Sequence, residues 1–111
     1  MEIQEQTQGA VTVLRPMGAL VEADAEAFKT KALAASSANL GRVVVDSANV
    51  AYVDSRGIEA LVEVTEELER SGRALKLCGA NSTIRQVLEI TGWADSFEFF
   101  DDVNSGVRSF L

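Results

Sequence analysis

Asp54-Ser55-Arg56-Gly57 is the stretch of this chain best equipped for chemistry. It follows an apolar strand and a polar turn and opens a long acidic helix. Its hydroxyl therefore sits where unpaired backbone N–H groups and the positive end of a helix dipole gather. A phosphate on such a hydroxyl would be both exposed and electrostatically welcome. Arg56, by contrast, carries a guanidinium that cannot take a phosphoryl group and fixes a positive charge at the same end. Ser55 is thus the candidate phosphoacceptor, and Asp54, Ser55, Arg56, Gly57 and Glu59 form the candidate partner-binding set.

Other kinds of chemistry lack their parts. The 111 residues include no histidine, which removes the usual general base and the commonest metal ligand. The single cysteine, Cys78, cannot form an internal disulfide; at the end of an apolar strand it reads as a buried small hydrophobe. The glycines at 18, 57, 79 and 92 are dispersed and form neither a phosphate-cradling loop nor a dinucleotide fingerprint. No catalytic set, metal-ligand set or cofactor site is expected. Ten Lys and Arg against 17 Asp and Glu leave a formal charge of −7, which opposes nucleic acid or an anionic membrane as partner and favours a basic protein surface. No apolar run approaches the roughly 18 residues that a bilayer span requires. The Met-Glu-Ile-Gln-Glu-Gln start has neither part of a signal peptide, so the expected location is the cytoplasm.

The elements that position these residues follow from periodicity. Ile3 to Thr7 and Ala10 to Arg15 read as a hairpin around Gln8-Gly9, ended by Pro16 and Gly18. Glu22 to Ala35 is an amphipathic helix with Ala25, Phe28, Ala32 and Ala35 on one face, and Ser36 to Gly41 is its exit loop. Arg42 to Asp46 lacks polar alternation at its centre, as a strand covered on both faces would, and belongs in mid-sheet. Ser55 to Arg70 aligns Ile58, Leu61, Val64 or Thr65, and Leu68, leaving Glu59, Glu63, Glu66, Glu67 and Glu69 on the remaining surface until Ser71-Gly72 stops it. Ala74 to Cys78 is a further strand, and Ser82 caps a helix carrying Ile84, Val87, Leu88 and Thr91, which Gly92 ends. Trp93 packs over that helix end. Phe97 to Phe100 is a short strand, and Asp101 or Asp102 caps a last helix burying Val103, Val107 and Phe110. At 111 residues and 47% hydrophobic content, this is one α/β domain in the order β-β-α-β-α-β-α-β-α, with helices packed on a mixed, mostly parallel sheet of about five strands.

Several residues have two readings. Ser55 serves as an N-cap or contact residue, at about 1 kcal/mol for a cap, or it receives a phosphate. Asp54 caps the same helix or orients a partner side chain, and both roles are compatible. Gly57 admits a close backbone approach to a partner or simply packs. The glutamates are a solvated face or a docking flank for a basic surface.

The element order, the Val53-Asp54-Ser55-x-Gly57-Ile58 segment, the Gly79-Ala80-Asn81 loop and the Thr91-Gly92-Trp93 helix end together resemble a STAS domain of the anti-sigma factor antagonist type. The resemblance covers nearly the whole chain. It implies a regulatory binding module rather than an enzyme, whose partner is an anti-sigma factor or switch-protein serine kinase and whose complex breaks when a hydroxyl at this helix start is phosphorylated. It also leaves room for a weak homodimer. The usual pattern is Asp-Ser-Ser/Thr-Gly with the acceptor just before the glycine, and here that position is Arg56. Relatives often carry Gly-x-Leu-Asp where this chain has Gly18-Ala19-Leu20-Val21, so Val21 supplies no charge. Both departures favour an alternative, a phosphorylation-independent STAS scaffold or transporter-associated subunit.

Overall fold

Gly9 adopts φ +61°, a backbone that L side chains rarely take, and turns the chain back on itself. Glu2–Gln8 (β1) and Val11–Met17 (β2) consequently pair antiparallel, with Gln8 opposite Val11 at the turn. In this computed structural model, which describes residues 1–111, the chain continues through Glu22–Ala38 (α1), Val43–Asp46 (β3), Ser55–Glu69 (α2), Leu75–Cys78 (β4), Ser82–Ile90 (α3), Phe97–Phe100 (β5) and Val103–Arg108 (α4). The sheet order is β1-β2-β3-β4-β5, and every pairing after the hairpin is parallel. Parallel neighbours need a crossover, and each crossover here contains a helix. The expected α/β class, element order and five-strand sheet are all present.

All four residues of β3 and of β4 are buried, as expected of strands covered on both faces; the two charged ones, Asp46 and Lys76, are paired with Arg15 at 2.7 Å and Glu98 at 2.6 Å. Successive residues face opposite sides. Val43 and Val45 join Leu14, Phe28, Leu61, Leu68, Leu77 and Leu88 in a main core of 18 buried residues, whereas Val44 joins Val11 and Cys78 in a small cluster against Val103 and Val107 of α4 and Phe110 just past it. Full burial of a Leu or Phe contributes about 1.5–3 kcal/mol relative to exposure, so the first face carries most of the stability.

Some expectations are corrected. β2 runs through Pro16 to Met17, because Pro16 lies beyond Thr12–Leu14, the segment paired with β3. α1 continues to Ala38, its end held by Asn39, whose amide donates to Thr12 Oγ1 at 2.7 Å. Ser82 does not cap α3: Asn81 does, its Oδ1 accepting from Ile84 N at 2.9 Å, and Ser82 is the first helical residue. A 3₁₀ turn at Ala94–Ser96, too short to leave a periodic signal, precedes β5. On α4, capped by Asp102, the fully buried residue is Gly106, while Val103 and Val107 are half-buried; the helix ends at Arg108, so Phe110, also half-buried, lies beyond it.

Candidate functional site

Because β2 and β3 run in parallel and each feeds a helix, α1 and α2 both begin at the edge where these strands end. Ser47–Val53 joins β3 to α2 along that edge. Gly18 N donates to Asn49 O at 3.1 Å, Leu20 N to Tyr52 O at 3.1 Å, and Asp54 N returns a bond to Leu20 O at 3.2 Å. Leu20 and Val53 form a parallel bridge, so the loop is zipped to the segment that follows β2.

Asp54 is the hinge of this arrangement. Its backbone is extended, and its Oδ1 accepts from Gly57 N at 2.8 Å, which makes it the N-cap of α2. The reading of Ser55 as the cap is therefore corrected: Ser55 is the first residue of the helix proper. An aspartate followed by a serine offers two capping groups, and the Leu20–Asp54 backbone bond holds the first of them at the extended position. Asp54 Oδ2 accepts from Glu22 N at 3.1 Å. Val21 precedes α1 with no side-chain oxygen to offer, and Glu22 is held at φ +49°; one carboxylate from α2's cap thus serves the first turns of both helices.

Gly57 is buried, and a β-carbon there would overlap the Leu20 carbonyl oxygen. The packing reading fits this position: its side-chain-free face is turned against Leu20 and Val53. Ser55, Arg56 and Glu59 are exposed and Asp54 half-buried. The Ser55 hydroxyl makes no hydrogen bond within the chain, and the Ser55 and Arg56 N–H groups have no protein acceptor. Arg56 and Glu59 line a groove of about 350 Å³ between α1 and α2, together with Glu22, Glu26, Lys29 and Glu63. Lys29 reaches Glu63 at 2.8 Å and Glu26 at 3.2 Å. The hydrogen bonds to Glu63 and then Glu26 raise its pKa above 10.5, whereas Arg56 enters no ion pair. The five glutamates of α2 are all exposed.

Two residues without an assigned role in the sequence also belong to this edge. Tyr52 is 54% exposed, an aromatic ring near the end of the loop that leads into α2. Asn81, besides capping α3, sends its Nδ2 to Val50 O at 3.2 Å and Ala51 O at 3.0 Å. Away from the site, Cys78 is fully buried, and burial first, then the charges of Asp46 and Asp102, push its thiol up to about 12. Inert burial was the expectation for it, and it is met.

The fold is a single α/β domain with a mixed five-stranded sheet, and the starts of α1 and α2 share one of its edges. The chain belongs to the STAS domain family, whose model matches residues 2–106. It is 26% identical over 93 residues to BtrV of Bordetella bronchiseptica, a proposed anti-sigma factor antagonist, covering 84% of this chain and 80% of that one. A proposed anti-sigma factor antagonist from Thermotoga maritima has the same fold at TM-score 0.86 and 18% identity, over 96% of this chain and 92% of that one. The unphosphorylated anti-sigma factor antagonist SpoIIAA matches at TM-score 0.75 and 17% identity, over 98% and 96% of the two chains, and the phosphorylated Bacillus form at 0.74 and 16%, over 99% and 100%. No helix is long and apolar enough to cross a membrane.

Proposed function

We propose that this chain is a non-enzymatic regulatory module of the anti-sigma factor antagonist type, which binds an anti-sigma factor or switch-protein serine kinase through the start of α2, and that Ser55 is where the complex is controlled. The observation that carries this reading is the Ser55 hydroxyl: exposed, without a hydrogen-bond partner, and beside two N–H groups that no protein acceptor occupies. A phosphate there adds close to two negative charges. A partner surface that closes on a neutral hydroxyl must then desolvate a dianion, and the complex opens. The exposed glutamates of α2 give a flank suited to a basic partner.

The test uses a histidine-kinase-like ATPase encoded by a neighbouring gene. Wild type is expected to bind it, to gain one phosphate on Ser55 when ATP is added, and then to dissociate; Ser55→Ala binds and stays bound. No complex with any such ATPase counts against the proposal.

A second reading rests on Arg56, which occupies the position where the family pattern has its hydroxyl and which has no ion-pair partner within the chain. Under it the module binds constitutively, as a scaffold or transporter-associated subunit, with the guanidinium free to meet a partner carboxylate. Mass spectrometry of protein from growing cells separates the two, since stoichiometric phosphate on Ser55 removes the second.

A further inference from the structure

The segment from Val50 to Asp54 is tied down from both sides. On the α1 side, Leu20 gives its N–H to Tyr52 O and takes the N–H of Asp54. On the α3 side no backbone group bonds to it; two further carbonyls, Val50 O and Ala51 O, are both taken by the Asn81 side-chain amide. The same side chain accepts from Ile84 N with its oxygen. Among short side chains only the asparagine amide gives two protons while accepting at oxygen, since a hydroxyl has a single proton to give. An aspartate or a serine caps a helix as well, but an ionised aspartate has no proton to give to two carbonyls.

We propose that Asn81 is a positioning residue for the partner-binding edge: its amide fixes the loop before α2 in the shape that presents Tyr52 beside Ser55 and Arg56. This rests on the partner-binding reading above and adds to it a residue on a third helix. α3 thereby takes part in recognition without supplying the contact. If the loop loosens, the partner meets a distribution of Tyr52 positions rather than one, and binding weakens through the ordering that each encounter must then supply.

Asn81→Asp separates the two jobs of the side chain, because it keeps the cap on Ile84 N and removes both donors; Asn81→Ala removes everything. Amide exchange is read in the free protein at Leu20 and Asp54, which bond to and from the loop, and at Leu88 inside α3. In Asn81→Asp, Leu20 and Asp54 are expected to exchange about tenfold faster, on the scale of losing one modest hydrogen bond, with Leu88 unchanged. In Asn81→Ala all three quicken. Binding of the neighbouring ATPase by Asn81→Asp is expected to weaken about tenfold, matching the loosening. Unchanged exchange at Leu20 and Asp54 in Asn81→Asp would reduce Asn81 to a helix cap and overturn the proposal. Weakened binding with unchanged exchange would make Asn81 a contact residue, which also overturns it, as would loosened exchange with full binding. Failure of wild type to bind strikes the partner-binding reading instead, and the exchange data still decide whether Asn81 holds the loop.

Discussion

The starts of α2 and α4 are built by the same local rule and do different work. Each has an aspartate in extended conformation whose Oδ1 accepts from an N–H three residues on, Gly57 in one and Ser105 in the other. Each has a buried glycine within its first turns, Gly57 and Gly106. The difference lies in what these parts meet. Asp54 reaches across to Glu22 on α1, and Gly57 is pressed on the Leu20 backbone; Asp102 serves α4 alone, and Gly106 rests on side chains, Cys78 Sγ and the Val44 methyls. A helix start that is locked to the backbone of another element can present a rigid surface, whereas one that rests on side chains is a cover for the sheet.

The contrast predicts unequal damage from equal mutations. Gly57→Ala drives a methyl into a carbonyl that already bonds to Asp54 N, and neither backbone can yield; a loss of about 3 kcal/mol is expected, the upper range for overpacking. For a domain of this size that lowers the melting temperature by roughly 10 °C, measurable by calorimetry. Gly106→Ala should cost about 1–2 kcal/mol, because its β-carbon meets Cys78 Sγ at 2.6 Å, a single side chain. Combining it with Cys78→Ala is expected to relieve part of that cost, a positive coupling in a double-mutant cycle that has no counterpart at Gly57. Equal costs at the two glycines would dissolve the distinction.

The caps give the next effect. Asp54→Ala should destabilise by about 2 kcal/mol, the top of the range for a lost cap, and should speed amide exchange in the first turn of α1 as well as α2. Asp102→Ala should change exchange in α4 only. The smallest effects are in pH. Burial raises the Cys78 thiol from 9.0 to about 12, so the folded state holds this proton more tightly than the unfolded chain. Stability linked to Cys78 is complete below pH 9 and declines as pH rises from there towards 12, a slope that Cys78→Ala removes from urea midpoints. The Asp102 carboxyl lies below 3.8, chiefly through the Ser105 backbone bond. Its contribution is complete above 3.8 and fades as pH falls through the lower folded value, and Asp102→Asn removes it from the acid limb of the same titration.

Much of the fold was legible because its signals are local. The apolar run Val43-Val44-Val45 marked β3, and Gly72 and Gly92, both at positive φ, stop α2 and α3 where a left-handed residue was expected. The candidate site was legible as a place, at the start of α2, but its division of labour was not. Asp54-Ser55 and Asn81-Ser82 each present two adjacent capping groups, and in both the first one caps, which a propensity reading cannot decide. Cap choice depends on which residue the preceding chain holds extended, and at Asp54 that is fixed by Leu20 on another strand's exit.

The amino-acid order alone determined that this is one acidic α/β domain with a hydroxyl and an aspartate at the head of its most acidic helix, since composition, periodicity and helix stops are properties of neighbouring residues. Tertiary structure decided which aspartate oxygen serves which helix, why residue 57 is glycine, and that an asparagine on α3 grips the loop before α2. Those contacts join residues some thirty positions apart, Glu22 with Asp54 and Ala51 with Asn81, and only the assembled sheet brings such pairs within hydrogen-bonding reach.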